Sequence, residues 1–416
     1  MDRATVKAFV GIDWATEEHA VCVVDPQGVI LGERRVAHSG DGLHTLCQWL
    51  TDLTGARPDE IVVAIEVPHG AVVETLLERS FGVHSINPKQ LDRFRDRFTV
   101  AGAKDDRRDA YVLADALRTD GHWFRQLQLE DPLVIELREC SRLADDLQQE
   151  RVRLGNRVRD QLLRCFPQML QVMPHVGKLA FAAIWRRIPT PSAAQRIRVT
   201  TLTQVLRRAR VRRLNAEDML TTLRETPVHV GPGTIAAATA HIRCAIDRLE
   251  VVNAQLREAH REVRRLLDAL AEHERAAHHV ELDDVTILRS IPGLGPTVLG
   301  ALLGEAAQPV ETRDRDALRA LAGVAPVTKN SGKRSGKRSF VVMRTACNPR
   351  LREATHHWAR VAMQRDPKSR QAYAALRARG HSHGRALRSI GDRLLAMACA
   401  MLKSRTLFDP SRRIVA

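Results

Sequence analysis

The chain has few cysteines and no long apolar runs. Its seven cysteines, Cys22, Cys47, Cys140, Cys165, Cys244, Cys347 and Cys399, are odd in number, scattered and never spaced as CxxC. That excludes a disulfide framework and a zinc ribbon and leaves buried, reduced thiols as the expectation. No run approaches the roughly 20 apolar residues of a membrane span. The opening MDRATVKAFVGIDW has no signal-peptide anatomy, so a cytoplasmic location without a membrane partner is expected. The histidine pairs His278/His279, His356/His357 and His381/His383 have no acid or cysteine at ligand spacing, so no zinc is assigned. An Asp-Gly-Gly phosphate loop is also missing, which counts against the sugar-kinase and chaperone-like ATPases whose strands also end in GID.

What is present is length and uneven charge. At 416 residues and 44% hydrophobic, the chain has room for two or three domains with proper cores. Its net charge is +16, but residues 1–121 carry 14 Lys/Arg against 20 Asp/Glu, a net of −6, and the remainder carries 51 against 29, a net of +22. An acidic front on a strongly basic body suggests a metal-binding catalytic domain joined to a polyanion-binding one.

The first 120 residues alternate strand and helix signals. Short apolar runs at Ala8 to Asp13, His19 to Val24 and Val29 to Val36 predict an antiparallel meander, followed by a helix at Gly42 to Leu53, a buried strand at Ile61 to Glu66, a helix at Ala71 to Arg79 and a strand at Val83 to Asn87. From Leu133 the period changes. Leu137, Cys140, Ala144, Leu147, Leu154, Val158, Leu162 and Cys165 keep 3/4 spacing apart from Arg151, and Ile242, Ala245, Leu249, Val252, Leu256, Ala259, Val263, Leu266 and Leu270 do so throughout. These stripes predict a long coiled-coil arm, as an intrachain hairpin or a dimer seam. Between them lies a tip, residues 167–232, whose LRRARVRRL run supplies Arg207, Arg208, Arg210, Arg212 and Arg213 as candidate phosphate contacts. Further on, LRSIPGLGPTVLGALL resembles a helix-hairpin-helix, in which Gly293 and Gly295 let backbone N–H groups approach a phosphate. Helices are also expected at Asp314 to Gly323, Pro349 to Arg365 and Gly384 to Ser404. The five tryptophans sit in apolar contexts and are expected in the core.

Asp13 ends the first strand and Glu66 a central apolar one. In AGAKDDRRDAYVLADAL, Asp106 and Asp109 are three apart and Asp105 and Asp109 four apart, so either pair projects from one helical face. A strand-end Asp, a strand-end Glu and a helical pair are the hard oxygen donors that a two-metal phosphoryl-transfer site needs.

On these residues the chain resembles the DEDD transposases of insertion sequences, bridge-RNA-guided recombinases that include the Piv pilin-gene invertase. The resemblance spans nearly the whole chain and rests on VGIDWA, AIE, and KDDRRDA against the family's Lys-x-Asp-x-x-Asp-Ala. It implies Asp13, Glu66, Asp106 and Asp109 as catalytic metal ligands for Mg²⁺ and makes Asp105 a helix-end residue. The loop EVPHG after Glu66 departs from the family pattern. LAGVAPVTKNSGKRSGKR and TACNPRLREATHHWARVA resemble the family's second signature, and that resemblance implies Ser331 as the nucleophilic serine, with Ser335 as its rival. A bare serine hydroxyl is a poor nucleophile, and Lys333, Arg334, Lys337 and Arg338 can stabilise developing phosphorane charge, although none is an evident base.

The resemblance therefore implies α/β plus all-α architecture: an RNase H-like (RuvC-like) domain over residues 1–125, a coiled-coil arm over 130–283 and a helical serine-containing transposase domain over 284–416. It implies a site-specific recombinase in the bacterial cytoplasm, associated with the nucleoid, that acts on double-stranded donor and target DNA. It further implies guidance by a noncoding RNA, homodimers that pair as tetramers, and an acidic site completed by another subunit's serine domain. Two alternatives stay open: a RuvC-like Holliday-junction nuclease that cuts with metal-bound water, and a catalytically dead DNA-binding descendant.

Overall fold

The computed structural model describes residues 5–97, 105–330 and 339–411. The chain divides into two units, Met1–Glu130 and Asp131–Ala416. Among the described residues no helix is long and apolar enough to cross a membrane.

The first unit is built on a six-stranded sheet. Strands β1 (Ala8–Asp13), β2 (Glu18–Val24) and β3 (Ile30–Ala37) form the meander, and β4 (Ile61–Ile65) and β5 (Gly82–Ser85) extend it in parallel on the other side of β1. The two-residue β6 (Arg125–Gln126) closes that edge antiparallel to β5, giving the order β3-β2-β1-β4-β5-β6. Alternation along the strands sorts side chains to two faces. Val10, Ile12, Val21, Val63 and Ile65 pack on one side with Leu43, Leu46 and Leu50 of α1 (Gly40–Thr54) and Leu76 of α2 (Ala71–Glu78). Phe9, Cys22, Val24, Val62 and Ala64 pack on the other with α4 (Asp106–Asp120), and α3 (Pro88–Arg95) precedes that helix.

Gly11 sets the distance between sheet and α4. A Cβ there would lie 1.9 Å from the carbonyl oxygen of Ala110 and 2.6 Å from the amide nitrogen of Ala114. Helix and strand thus meet backbone to backbone, which only a missing side chain permits.

In the second unit, α5 (Pro132–Cys165) and α11 (Pro232–His278) pack along one another. The pairs Glu136–Arg265 and Glu150–Arg248 cross between them and fix an antiparallel hairpin within one chain. The expected apolar stripes are its seam. The break at Arg151 has a local cause, because the side-chain stem lies over Gly177, a glycine of the tip that docks there. The tip carries α6 (Gln168–Val172), α7 (Leu179–Trp185), α8 (Pro191–Arg196), α9 (Val199–Arg208) and α10 (Ala216–Leu223). Phe166, Phe181, Trp185, Leu202, Leu206 and Leu220 form its core with Ile242 and Ile246 of α11.

At the other end of the hairpin stand α12 (Asp284–Arg289), α13 (Pro296–Glu305), α14 (Ala307–Glu311), α15 (Arg315–Leu321), the ribbon β7 (Val327–Asn330) and β8 (Ser339–Val342), α16 (Pro349–Arg365), α17 (Pro367–Ala378) and α18 (His383–Ser404). Leu137 and Val263 of the hairpin belong to the same core as Leu299, Trp358 and Leu395.

Some expectations are corrected. Trp14 is 40% and Trp123 70% exposed, because Trp14 lies just past the end of β1 and Trp123 in the short 3-10 helix between α4 and β6, neither on a packed face. Cys244 is exposed, since it lies on the outer side of α11, away from the Ile242 and Ala245 stripe.

Candidate active site

Four carboxylates were expected to meet, and the backbone brings their elements together. In the parallel ladder of β1 and β4, Ile12 lies opposite Ile65, so the next residues, Asp13 and Glu66, follow side by side at the carboxyl ends of neighbouring strands. Asp13 shares its face with Gly11 two residues before it, the face that α4 covers. The direction of α4 completes the arrangement. Arg118, near its end, reaches the Pro26 carbonyl in the turn between β2 and β3, level with the start of β1, so the first turn of α4 lies toward the end of β1.

That first turn carries Asp106, which is exposed, and Asp109, which is 2% exposed. Asp105 is the N-cap, its side chain accepting from the Arg107 N–H at 3.1 Å. The acids complement the positive end of the helix. Asp109 is not left bare: Arg95 of α3 donates from Nε to Oδ1 at 2.7 Å and from Nη2 to Oδ2 at 2.9 Å. Burial works against the guanidinium's charge, but the hydrogen bonds and charge of Asp109, joined by Asp92, outweigh it and raise the Arg95 pKa. Among the described residues, no three His, Cys, Asp or Glu side chains converge closely enough to hold a metal ion. The donor chemistry, all carboxylate on rigid supports, suits a hard divalent cation, and one of the four, Asp109, is engaged by Arg95 on both oxygens.

Sequence reasoning missed Arg95, and it missed a histidine pair behind Asp13. The Ala15 N–H donates to Nδ1 of the fully buried His19 at 3.2 Å, and Nε2 of His19 lies 2.9 Å from Nδ1 of His38. Burial, and then the neighbouring His38, lower the His19 pKa. The pair pins the turn that follows Asp13. No sequence signal marks it, since a histidine inside an apolar strand looks like any other core residue.

Ser331, Lys333, Arg334, Ser335, Lys337 and Arg338 lie outside the described residues. Gly293 takes a positive φ of 85°, and a Cβ there would meet the Ala362 amide nitrogen at 2.8 Å. Its bare Cα therefore serves packing against α16, where Trp358 Nε1 also donates to the Pro292 carbonyl at 3.1 Å. Gly295, the N-cap of α13, has open space around it. Arg207, Arg208, Arg210, Arg212 and Arg213 lie at and after the end of α9, and among the described residues none has a carboxylate within ion-pair distance.

Comparison with known proteins bears on this geometry. Residues 10–167 match the model of a DEDD transposase family, and residues 285–374 match the model described as the transposase IS116/IS110/IS902 family. The mini-circle candidate transposase for IS117 of Streptomyces coelicolor is 31% identical over 418 residues, covering 99% of this chain and 97% of that protein. The chain belongs to the IS116/IS110/IS902 family of transposases. Such transposases are enzymes that cut and rejoin DNA. The candidate transposase y4uE of Sinorhizobium fredii is 54% identical over 209 residues, half of this chain and 58% of that protein's length. A 44.8 kDa protein of insertion element IS116 from Streptomyces clavuligerus is 29% identical over 420 residues, 97% of each. In this transposase the four acids fall within the first family match and Ser331 within the second, while the tip arginines fall in neither.

Proposed function

We propose that this transposase cuts and rejoins double-stranded DNA with Asp13, Glu66, Asp106 and Asp109 as ligands of Mg²⁺ and Ser331 as the nucleophile. The observation that carries the reading is the delivery of Asp13 and Glu66 side by side on parallel strands, on the level of the first turn of α4. A meander continued by parallel strands supports an RNase H-like (RuvC-like) reading of the first unit. A divalent ion bound to these carboxylates would neutralise charge developing on the phosphoryl oxygens.

The remaining chemistry belongs to the chain. The Ser331 oxygen gives up its proton and bonds to phosphorus as a DNA oxygen leaves and is protonated; the hydroxyl of a second DNA end then attacks that phosphorus, and the serine oxygen leaves and regains a proton, which rejoins the strand. Lys333, Arg334, Lys337 and Arg338 stabilise the charge that passes through the phosphate. The tip arginines and the N–H groups at the start of α13, beside Gly293 and Gly295, hold the nucleic-acid backbone and so position it without reading sequence. A noncoding guide RNA supplies the sequence choice, and dimers pair as tetramers in which one subunit's acids meet another's serine.

The test is a covalent link. After reaction of the full-length protein with element-end DNA and Mg²⁺, denatured mixtures should contain DNA joined to the peptide spanning Asn330 to Lys333. Ser331→Ala should lose both adduct and strand transfer, whereas Ser335→Ala should keep both. Strand transfer that survives in Ser331→Ala would return the protein to the water-using junction nucleases.

A further inference from the structure

We propose that Arg95 is a stand-in cation, held on Asp109 until a divalent ion displaces it, so that metal loading of the acidic site requires this arginine to let go. The proposal rests on the reading of Asp109 as a metal ligand given above.

Burial makes Asp109 demand a partner. Its side chain is 3% exposed, and a buried carboxylate is unfavourable unless its charge is matched. Arg95 matches it in the strongest available way, with two parallel charge-assisted bonds of 2.7 and 2.9 Å that engage both carboxylate oxygens. An ion on the same carboxylate would face a full positive charge at close range, so the two cations compete for Asp109.

Arg95 also has somewhere to go. Its Nη1 donates to Oδ1 of Asp92 at 2.8 Å, one turn earlier on α3, and that acid is 66% exposed. A guanidinium displaced from Asp109 keeps this partner, and it stays in the last turn of α3, where the helix dipole favours a cation. Two other cross-element arginines among the described residues differ in placement. Arg142 on Glu305 and Arg319 on Asp392 join packed helices far along the chain from any candidate ligand. Of these three pairs, only that of Arg95 engages a residue of the acidic site.

A competing cation lowers the apparent affinity for metal by the fraction of molecules in which Asp109 is free. Arg95→Gln removes the charge but leaves an amide that can still donate to Asp109. Its Mn²⁺ affinity, measured by calorimetry on the full-length protein at fixed pH and salt, should rise about ten- to hundredfold, the range expected for loss of a charge-assisted pair. Arg95→Lys keeps the charge without the fork and should fall between, which keeps the test open if the glutamine variant folds poorly. Unchanged or weaker Mn²⁺ binding in the variants would overturn the proposal and make Arg95 a permanent brace for Asp109. Asp13→Asn and Asp109→Asn separate this from the acid-site reading. If neither weakens Mn²⁺ binding, that reading fails and the stand-in role fails with it; if both weaken it and Arg95→Gln does not tighten it, only the stand-in role fails.

Discussion

At the carboxyl end of β1, carboxylates stand on a strand end, a neighbouring strand end and a helix packed backbone to backbone, and the buried one is neutralised by an arginine fork. On the tip, five arginines within residues 207–213 have no acid against them among the described residues. The contrast is not a property of arginine in this chain, because Arg142, Arg313, Arg319 and Arg350 each bind a carboxylate on another element. At the proposed catalytic site the buried charge is fixed in place and matched; on the tip, proposed to grip a polyanion, the charge is left unmatched among the described residues. Rigid placement serves chemistry that tolerates small errors poorly, whereas attraction to phosphate works through counterion release and needs no single geometry.

Breaking the rigid end should have the largest effect. Asp13→Ala, Glu66→Ala, Asp106→Ala or Asp109→Ala should each lower recombination by at least about 100-fold, the cost of disabling a metal site, with filter binding of DNA nearly unchanged. Gly11→Ala attacks the same region through packing. Its Cβ cannot coexist with the Ala110 carbonyl in the present arrangement, so the first unit should lose about 1–3 kcal/mol or more in a denaturant melt.

The tip is expected to respond differently. Replacing Arg207, Arg208, Arg210, Arg212 and Arg213 by glutamine should flatten the log–log salt dependence of duplex binding by about 0.9 for each phosphate no longer neutralised, while the rate of strand transfer from DNA already bound stays the same. Asp105→Ala should cost about 1 kcal/mol of stability, because the helix loses its N-cap, and leave recombination largely intact. A dead Asp105 variant would move the ligand register by one residue.

The smallest effect is a pH dependence of the first unit. The folded-state pKa of His19 is lowered, so below the ordinary histidine pKa the unfolded chain takes up a proton that the folded one resists. Stability should therefore be full above about pH 6.5 and decline as pH falls. His84, lowered mainly by burial, adds in the same direction. His19→Gln should make the melting temperature less sensitive between about pH 7 and pH 5.

Much of the rigid end is legible in sequence because its elements are periodic. β1 and β4 are apolar runs that lead into an acid, and α4 announces itself by an Asp cap followed by apolar residues. Arg95 is not legible. Its helix, PKQLDRFR, has few apolar residues to show a face, and its partner lies 14 residues further along the chain, on another helix. β6 is two residues long, too short for a period of two to register. The stripes of α5 and α11 predict their seam but leave open whether it closes within one chain, which the crossing pairs Glu136–Arg265 and Glu150–Arg248 decide. The exposure of Trp14 escapes a reading by composition, because the same apolar neighbours flank a residue inside a strand and one just past its end. Ser331 is singled out by motif and lies outside the described residues.

The hairpin also makes reach a matter of counting. α5 has 34 residues and α11 has 47, so at ~1.5 Å per residue the shorter limb alone is about 50 Å long. Because its seam repeats in steps of three and four, removing seven residues from the middle of each limb would leave the same faces together and draw the arginine tip in by about 10 Å. Removing five from each would shorten the arm by about 7 Å but turn the tip by about 140° around its axis. Arm length and tip bearing are thus separately adjustable quantities, and the hairpin is a ruler graduated in heptads.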